Sequence, residues 1–151
     1  MTYILDTNIL LFSILNATFE DFYKNTYRQA NNDLVISAVT EGELKSLALK
    51  RKWGSKKTNQ VITTLQQYIS YPVKLDSVIN AYAQIDAYSQ GLLAHKPLPV
   101  GMTARNMGKN DLWIAATAHV VGGILITADK DFNHLADVYF PLHLVDINDF
   151  R

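Results

Sequence analysis

None of the 151 residues is cysteine, which excludes a disulfide scaffold, a thiolate zinc site and a cysteine nucleophile. Any metal must sit on oxygen or imidazole. Excess charge is also lacking: 14 Lys and Arg offset 14 Asp and Glu, so the broad positive field of a non-specific nucleic-acid binder is missing and any nucleic-acid site must be local. No apolar run approaches the ~20 residues of a membrane helix. The first apolar stretch, Tyr3 to Leu15, contains Asp6 and has neither a basic leader nor a small-residue cleavage site, so it does not read as a secretory signal. The expectation is a soluble, cytoplasmic chain. There is no internal repeat or Gly/Ser linker, and no Gly-x-x-x-x-Gly-Lys loop for ATP. His95, His119, His134 and His143 lack metal-ligand spacing and are expected to be structural.

What is present is enough apolar material, 48% of the chain, for one core, and hence a single domain over residues 1–151. Tyr3-Ile4-Leu5, Leu34-Val35-Ile36 and Ile124-Leu125-Ile126 read as short buried strands, with a later strand at Leu142 to Val145. Helical spacing occupies Asn8 to Leu15, Val39 to Trp53, Lys57 to Ile69, Ser77 to Leu93 and Asp111 to Val121, the last stopped by Gly122-Gly123. Strands alternating with helices indicate an α/β domain whose mainly parallel central sheet is flanked by helices. Ala94 to Asn110, with two prolines and two glycines, is a long loop of the kind that is either functional or a tolerated insertion.

Four carboxylates fall at telling places in this plan. Asp6 follows the first strand, Asp129 follows the third, Glu43 lies in the opening turn of the helix after the second, and Asp111 opens the helix leading into the third. In an α/β unit a helix starts on the edge where the preceding strand ends, so Asp6, Glu43 and Asp129 share the ligand-binding edge. Asp111 joins them if its helix starts there too. Converging carboxylates repel one another unless a cation intervenes, and all-oxygen donors suit Mg²⁺ or Mn²⁺. Two such ions can activate a water and stabilise the leaving oxygen in phosphodiester cleavage. Local roles compete at each position. Thr40 to Glu43 fits a capping box, Asn110 is a candidate helix cap with Asp111 favoured by the helix dipole, and Asp6 and Asp129 to Asp131 fit polar turns.

Four blocks, Tyr3 to Leu10 (YILDTNIL), Ile36 to Leu44 (ISAVTEGEL), Asn110 to Ala118 (NDLWIAATA) and Ile126 to Phe132 (ITADKDF), together resemble the PIN-domain family, particularly its VapC-like toxin branch. The resemblance implies that Asp6, Glu43, Asp111 and Asp129 are the metal-binding and catalytic acids, with Asn8 and Thr127 as supporting polar residues. Asp131 is a fifth ligand, a supporting acid or a turn residue. It also implies Mg²⁺- or Mn²⁺-dependent RNA hydrolysis, a cognate antitoxin partner and a homodimer.

Arg105 and Lys109, close in sequence to Asp111, are candidates for steering substrate phosphate. Lys45, Lys50, Arg51, Lys52, Lys56 and Lys57 surround Trp53 and fit either a phosphate-holding patch with a stacking indole or a solvated helix end. Two rival functions stand beside the nuclease. A haloacid-dehalogenase-type phosphatase also carries an aspartate after its first strand, but Asn8 breaks its Asp-x-Asp pair. A non-catalytic RNA- or partner-binding module would keep the fold, although a cluster of negative charge is of no use in holding RNA.

Overall fold

Tyr3, Ile4 and Leu5 are apolar without interruption because the strand they form is covered on both faces. In the computed structural model, which describes residues Met1–Arg151, they belong to β1 (Thr2–Leu5). There follow α1 (Thr7–Leu15), α2 (Ala17–Thr26), β2 (Asp33–Ser37), α3 (Ala38–Lys50), α4 (Ser55–Leu65), β3 (Ile69–Tyr71) and α5 (Asp76–Ser89). After a long loop come α6 (Lys109–Val121), β4 (Ile124–Thr127), a 3₁₀ turn (Lys130–Leu135), β5 (Leu142–Leu144) and a final 3₁₀ turn (Ile147–Phe150).

The strands pair in the order β3-β2-β1-β4-β5, and every pairing is parallel. Alternate side chains leave opposite faces of each strand. Ile4, Val35 and Leu125 therefore pack with Val78 and Ile85 of α5 and Leu112 and Ala115 of α6. Tyr3, Leu5, Ile36 and Ile126 pack instead with Ile9 and Leu10 of α1, Phe19 and Tyr23 of α2 and Val61 of α4. Each fully buried aliphatic side chain contributes about 1.5–3 kcal/mol, so these two clusters hold the sheet between its helical layers. The order reverses at β1, whose neighbours β2 and β4 lie on either side. A crevice therefore opens at the carboxyl ends of β1 and β4.

The all-parallel sheet and flanking helices match the α/β expectation, but two elements are additional. α2 escapes periodicity because it is short and mostly polar; its signals are Asn16, which caps Phe19 N at 2.9 Å, and the pair Phe19 and Tyr23, four residues apart. β3 has only three residues, too few for a period, and Ile69 was expected to end a helix. Instead α4 stops at Leu65 and Ile69 pairs with Val35 at the sheet edge. The Gly122-Gly123 stop is real. Gly122 adopts the left-handed conformation (φ 73°) that ends α6. Gly123 lies against β1, where a Cβ would come within 2.8 Å of the Thr2 carbonyl oxygen.

Candidate metal centre

Asp6 leaves β1 and caps α1, with Oδ1 accepting from Thr7 N at 2.7 Å. Its other oxygen accepts from the Thr127 hydroxyl at 2.6 Å and from Asn8 Nδ2 at 3.0 Å. Asn8 Oδ1 in turn accepts from Ala128 N at 3.2 Å, so Asn8 and Thr127 tie the end of β4 to the end of β1. Capping and site-building are thus the same act. Asp6 is only 4% exposed, and burial pushes its carboxyl up to about 6. The bonds from Thr127 and Thr7 oppose that rise, while the charges of Glu43 and Asp129 add to it.

Glu43 reaches the same edge from α3, but not as part of a capping box. α3 begins at Ala38 and is capped by Ser37, whose Oγ accepts from Val39 N at 3.2 Å. Thr40 and Glu43 therefore lie inside the helix. Glu43 Oε1 accepts from the Thr7 hydroxyl at 2.6 Å, and Oε2 from Asn110 Nδ2 at 3.4 Å. Thr7 and Asn110 are the positioning residues that sequence reasoning left out, although both stand within the quoted blocks. Asn110 is likewise no cap: Gly108 precedes α6, and Asn110 and Asp111 sit in its first turn.

Asp111, Asp129 and Asp131 form the tightest group, each offering a carboxylate oxygen within 4.8 Å of the others. Asp129 caps the 3₁₀ turn by accepting from Asp131 N at 2.9 Å, and this fold of the turn brings Asp131 alongside. Asp6 and Glu43 stand outside that trio and act on it through charge. Burial, followed by the charges of Asp6, Asp129, Glu43 and Asp131, pushes the Asp111 carboxyl up to about 7. No base neutralises the five acids. The only ion pairs in the chain are Lys24 with Glu20 and Lys45 with Glu41. Oxygen donors, uncompensated negative charge and raised carboxyls fit a hard divalent cation such as Mg²⁺ or Mn²⁺.

The PIN domain family model matches residues 3–138. The chain belongs to the PIN-domain family. It is 30% identical over 139 residues to Ribonuclease VapC1 of Haemophilus influenzae strain R2866, covering 91% of this chain and 95% of that protein. Among solved structures it is similar to VapBC-1 from nontypeable Haemophilus influenzae, with a TM-score of 0.70 and 24% identity over 95% of this chain and 98% of that one. It is also similar to FitAcB from Neisseria gonorrhoeae, with a TM-score of 0.66 and 22% identity over 93% of this chain and 95% of that one.

Around this PIN-domain centre the basic residues take different places. Arg105 is half-buried; its Nη1 donates to the Asp131 carbonyl at 3.4 Å, and its buried Nε has no partner. Lys109 is exposed as the first residue of α6 and makes no ion pair. Arg51 and Lys57 stand 5.8 and 5.1 Å from the Trp53 ring centroid, where they compete with any stacking base. His134 is buried against the Ser89 hydroxyl at 2.7 Å, and burial with the Arg105 charge lowers it to about 4. It is thus a neutral core imidazole. No helix is long and apolar enough to cross a membrane.

Proposed function

We propose that this chain is a divalent-metal-dependent endoribonuclease, the toxin of a toxin–antitoxin pair, acting in the cytoplasm as one nuclease domain over residues 1–151. The observation that carries the reading is the trio Asp111, Asp129 and Asp131 with Asp6 and Glu43 close enough to act on it through charge, none of the five in an ion pair, at the crevice of a PIN-domain sheet. The similarity to Ribonuclease VapC1 and to VapBC and FitAcB assemblies supports RNA as substrate and an antitoxin as partner. A homodimer accords with the apolar surplus of α1, where Leu15 is 44% exposed; a chain that sediments as a monomer at every concentration would contradict it.

Asp6, Glu43, Asp111 and Asp129 would hold Mg²⁺ or Mn²⁺, with Asp131 as a fifth donor beside Asp111 and Asp129. A divalent cation held by these residues would supply the activation of water and the stabilisation of a leaving oxygen that phosphodiester hydrolysis needs. Thr127, Asn8 and Thr7 fix Asp6 in one orientation, and Thr7 with Asn110 does the same for Glu43. Such fixed donors need no rearrangement as the reaction proceeds. Arg105 and Lys109 flank the acids on the α6 side and would draw substrate phosphate toward a site that otherwise repels it.

The test is cleavage of a mixed structured and unstructured RNA pool with Mg²⁺, Mn²⁺ or EDTA. Asp6→Asn and Asp111→Asn nearly preserve shape while each removes one charge. Metal-dependent cutting that disappears in both folded variants is the expected result, and cutting that survives both overturns the assignment of the site.

A further inference from the structure

The stripe of α3 that carries Glu43 continues away from the acids. A cavity of about 460 Å³ opens beside Glu43, walled by Thr7, Gly42, Ser46, Leu47, Lys50 and Asn110. Gly42, Ser46 and Lys50 recur every four residues and so share one helix face. Lys50 lies two turns beyond Glu43, about 10 Å along the axis. It makes no ion pair, whereas Lys45 is held by Glu41 at 3.1 Å. Gly42 is the other unusual feature. A glycine inside a helix costs about 1 kcal/mol relative to alanine, yet a Cβ here would meet nothing within 4 Å. Packing does not demand it, so the residue leaves space that something else can use.

We propose that this cavity is a nucleotide subsite of the RNA site, holding the nucleotide beside the scissile phosphate while Lys50 pairs with the next phosphate along the strand. The proposal rests on the nuclease reading above and adds the direction in which substrate leaves the acids. Thr7 and Asn110 belong both to the cavity wall and to the bonds that hold Glu43, so the two sites are continuous. The volume lies in the range of small-molecule sites. Val39 and Leu47 are the only apolar residues lining it, which suits a base and ribose more than an apolar protein segment. Ser46 and Asn110 supply the polar groups that a base or ribose requires.

The test measures binding of a short fluorescent single-stranded RNA of randomised sequence, by anisotropy over a salt series with Ca²⁺, alongside cleavage with Mg²⁺ and Mn²⁺. Lys50→Ala should weaken binding about fivefold and reduce the log–log salt slope by about 0.7, the signature of one lost phosphate contact. Gly42→Leu should weaken binding about tenfold by filling the cavity. Its melting temperature should be unchanged or higher, because leucine is the better helix former. Lys45→Ala should match the wild-type chain. Wild-type affinity and slope in both Lys50→Ala and Gly42→Leu overturn the subsite even if the wild-type chain cuts RNA. Variant-sensitive binding with no cutting under any divalent ion overturns the nuclease reading and leaves the subsite standing. A wild-type chain that binds no RNA overturns both.

Discussion

Asp6 and Thr127 stand at the ends of neighbouring parallel strands, and the Thr127 hydroxyl donates to Asp6 Oδ2 at 2.6 Å across 121 positions of sequence. This bond favours the ionised carboxylate against the burial that opposes it. Thr127→Val keeps the shape and removes the donor, so the Asp6 carboxyl should rise above about 6. Cation binding requires the ionised form. The acid limb of Mn²⁺ binding, followed by calorimetry across pH, should therefore move to higher pH by up to about one unit. An unmoved limb would mean that Asp6 does not govern cation binding.

The raised acids also set the stability of the metal-free chain. Asp6 at about 6 and Asp111 at about 7 bind protons more tightly in the folded state than at the ordinary value of 3.8. Between about pH 4 and 7 the folded state therefore holds more protons, and stability falls as pH rises through that window. For Asp6 the loss is at most about 3 kcal/mol. Thermal melts in EDTA should show a falling melting temperature from pH 4.5 to 7.5, with a shallower slope for Asp6→Asn and Asp111→Asn. Saturating Mn²⁺ should raise the melting temperature at pH 7.5 in the wild-type chain and much less in either variant.

Arg105 and Lys109 are the cations placed to offset the acids for an incoming polyanion. The double variant Arg105→Ala with Lys109→Ala should weaken RNA binding and reduce the salt slope by about 1.4 if each touches one phosphate. Unchanged affinity and slope would remove both from the binding site. Because Arg105 also contacts the Asp131 carbonyl, its single variant should in addition loosen the 3₁₀ turn, read as faster amide exchange at Asp131 to Leu135.

Gly123 fills a place where β1 and β4 approach too closely for a side chain. Gly123→Ala puts a Cβ 2.8 Å from the Thr2 carbonyl oxygen, so the strands must part. The expected cost is about 1–3 kcal/mol, measured by denaturant unfolding. The neighbouring Gly122→Asn, at a left-handed position with open space, should cost less.

Much of this was legible in the chain because the signals are local. The uninterrupted apolar triplets at Tyr3, Val35 and Leu125 announce strands buried on both faces, and Gly122 marks the end of α6. Asp6 and Asp129 stand out because acids at strand ends fall on one sheet edge, and Asp111 because it opens a helix, whereas Glu43 reaches that edge from inside α3. The cap assignments at Thr40 and Asn110 were not legible. Helix α3 starts two residues before Thr40 and α6 one residue before Asn110, and both beginnings depend on where the preceding chain is delivered. β3 was hidden because a three-residue edge strand is specified by its partner β2 rather than by its own pattern.

The sequence by itself determined the alternation of strands and helices, the residue types that can hold a hard cation and the absence of any thiolate alternative. Only the tertiary structure decided the strand order β3-β2-β1-β4-β5, which sets Asp6 beside Thr127 and opens the crevice. It also decided that Asp131 lies within 4.8 Å of Asp111 and Asp129, and that Lys50 stands free of any acid while Lys45 does not. The physical reason is range. Propensity and periodicity act over a few residues, whereas charge repulsion and hydrogen bonding at a site depend on groups that only packing brings together.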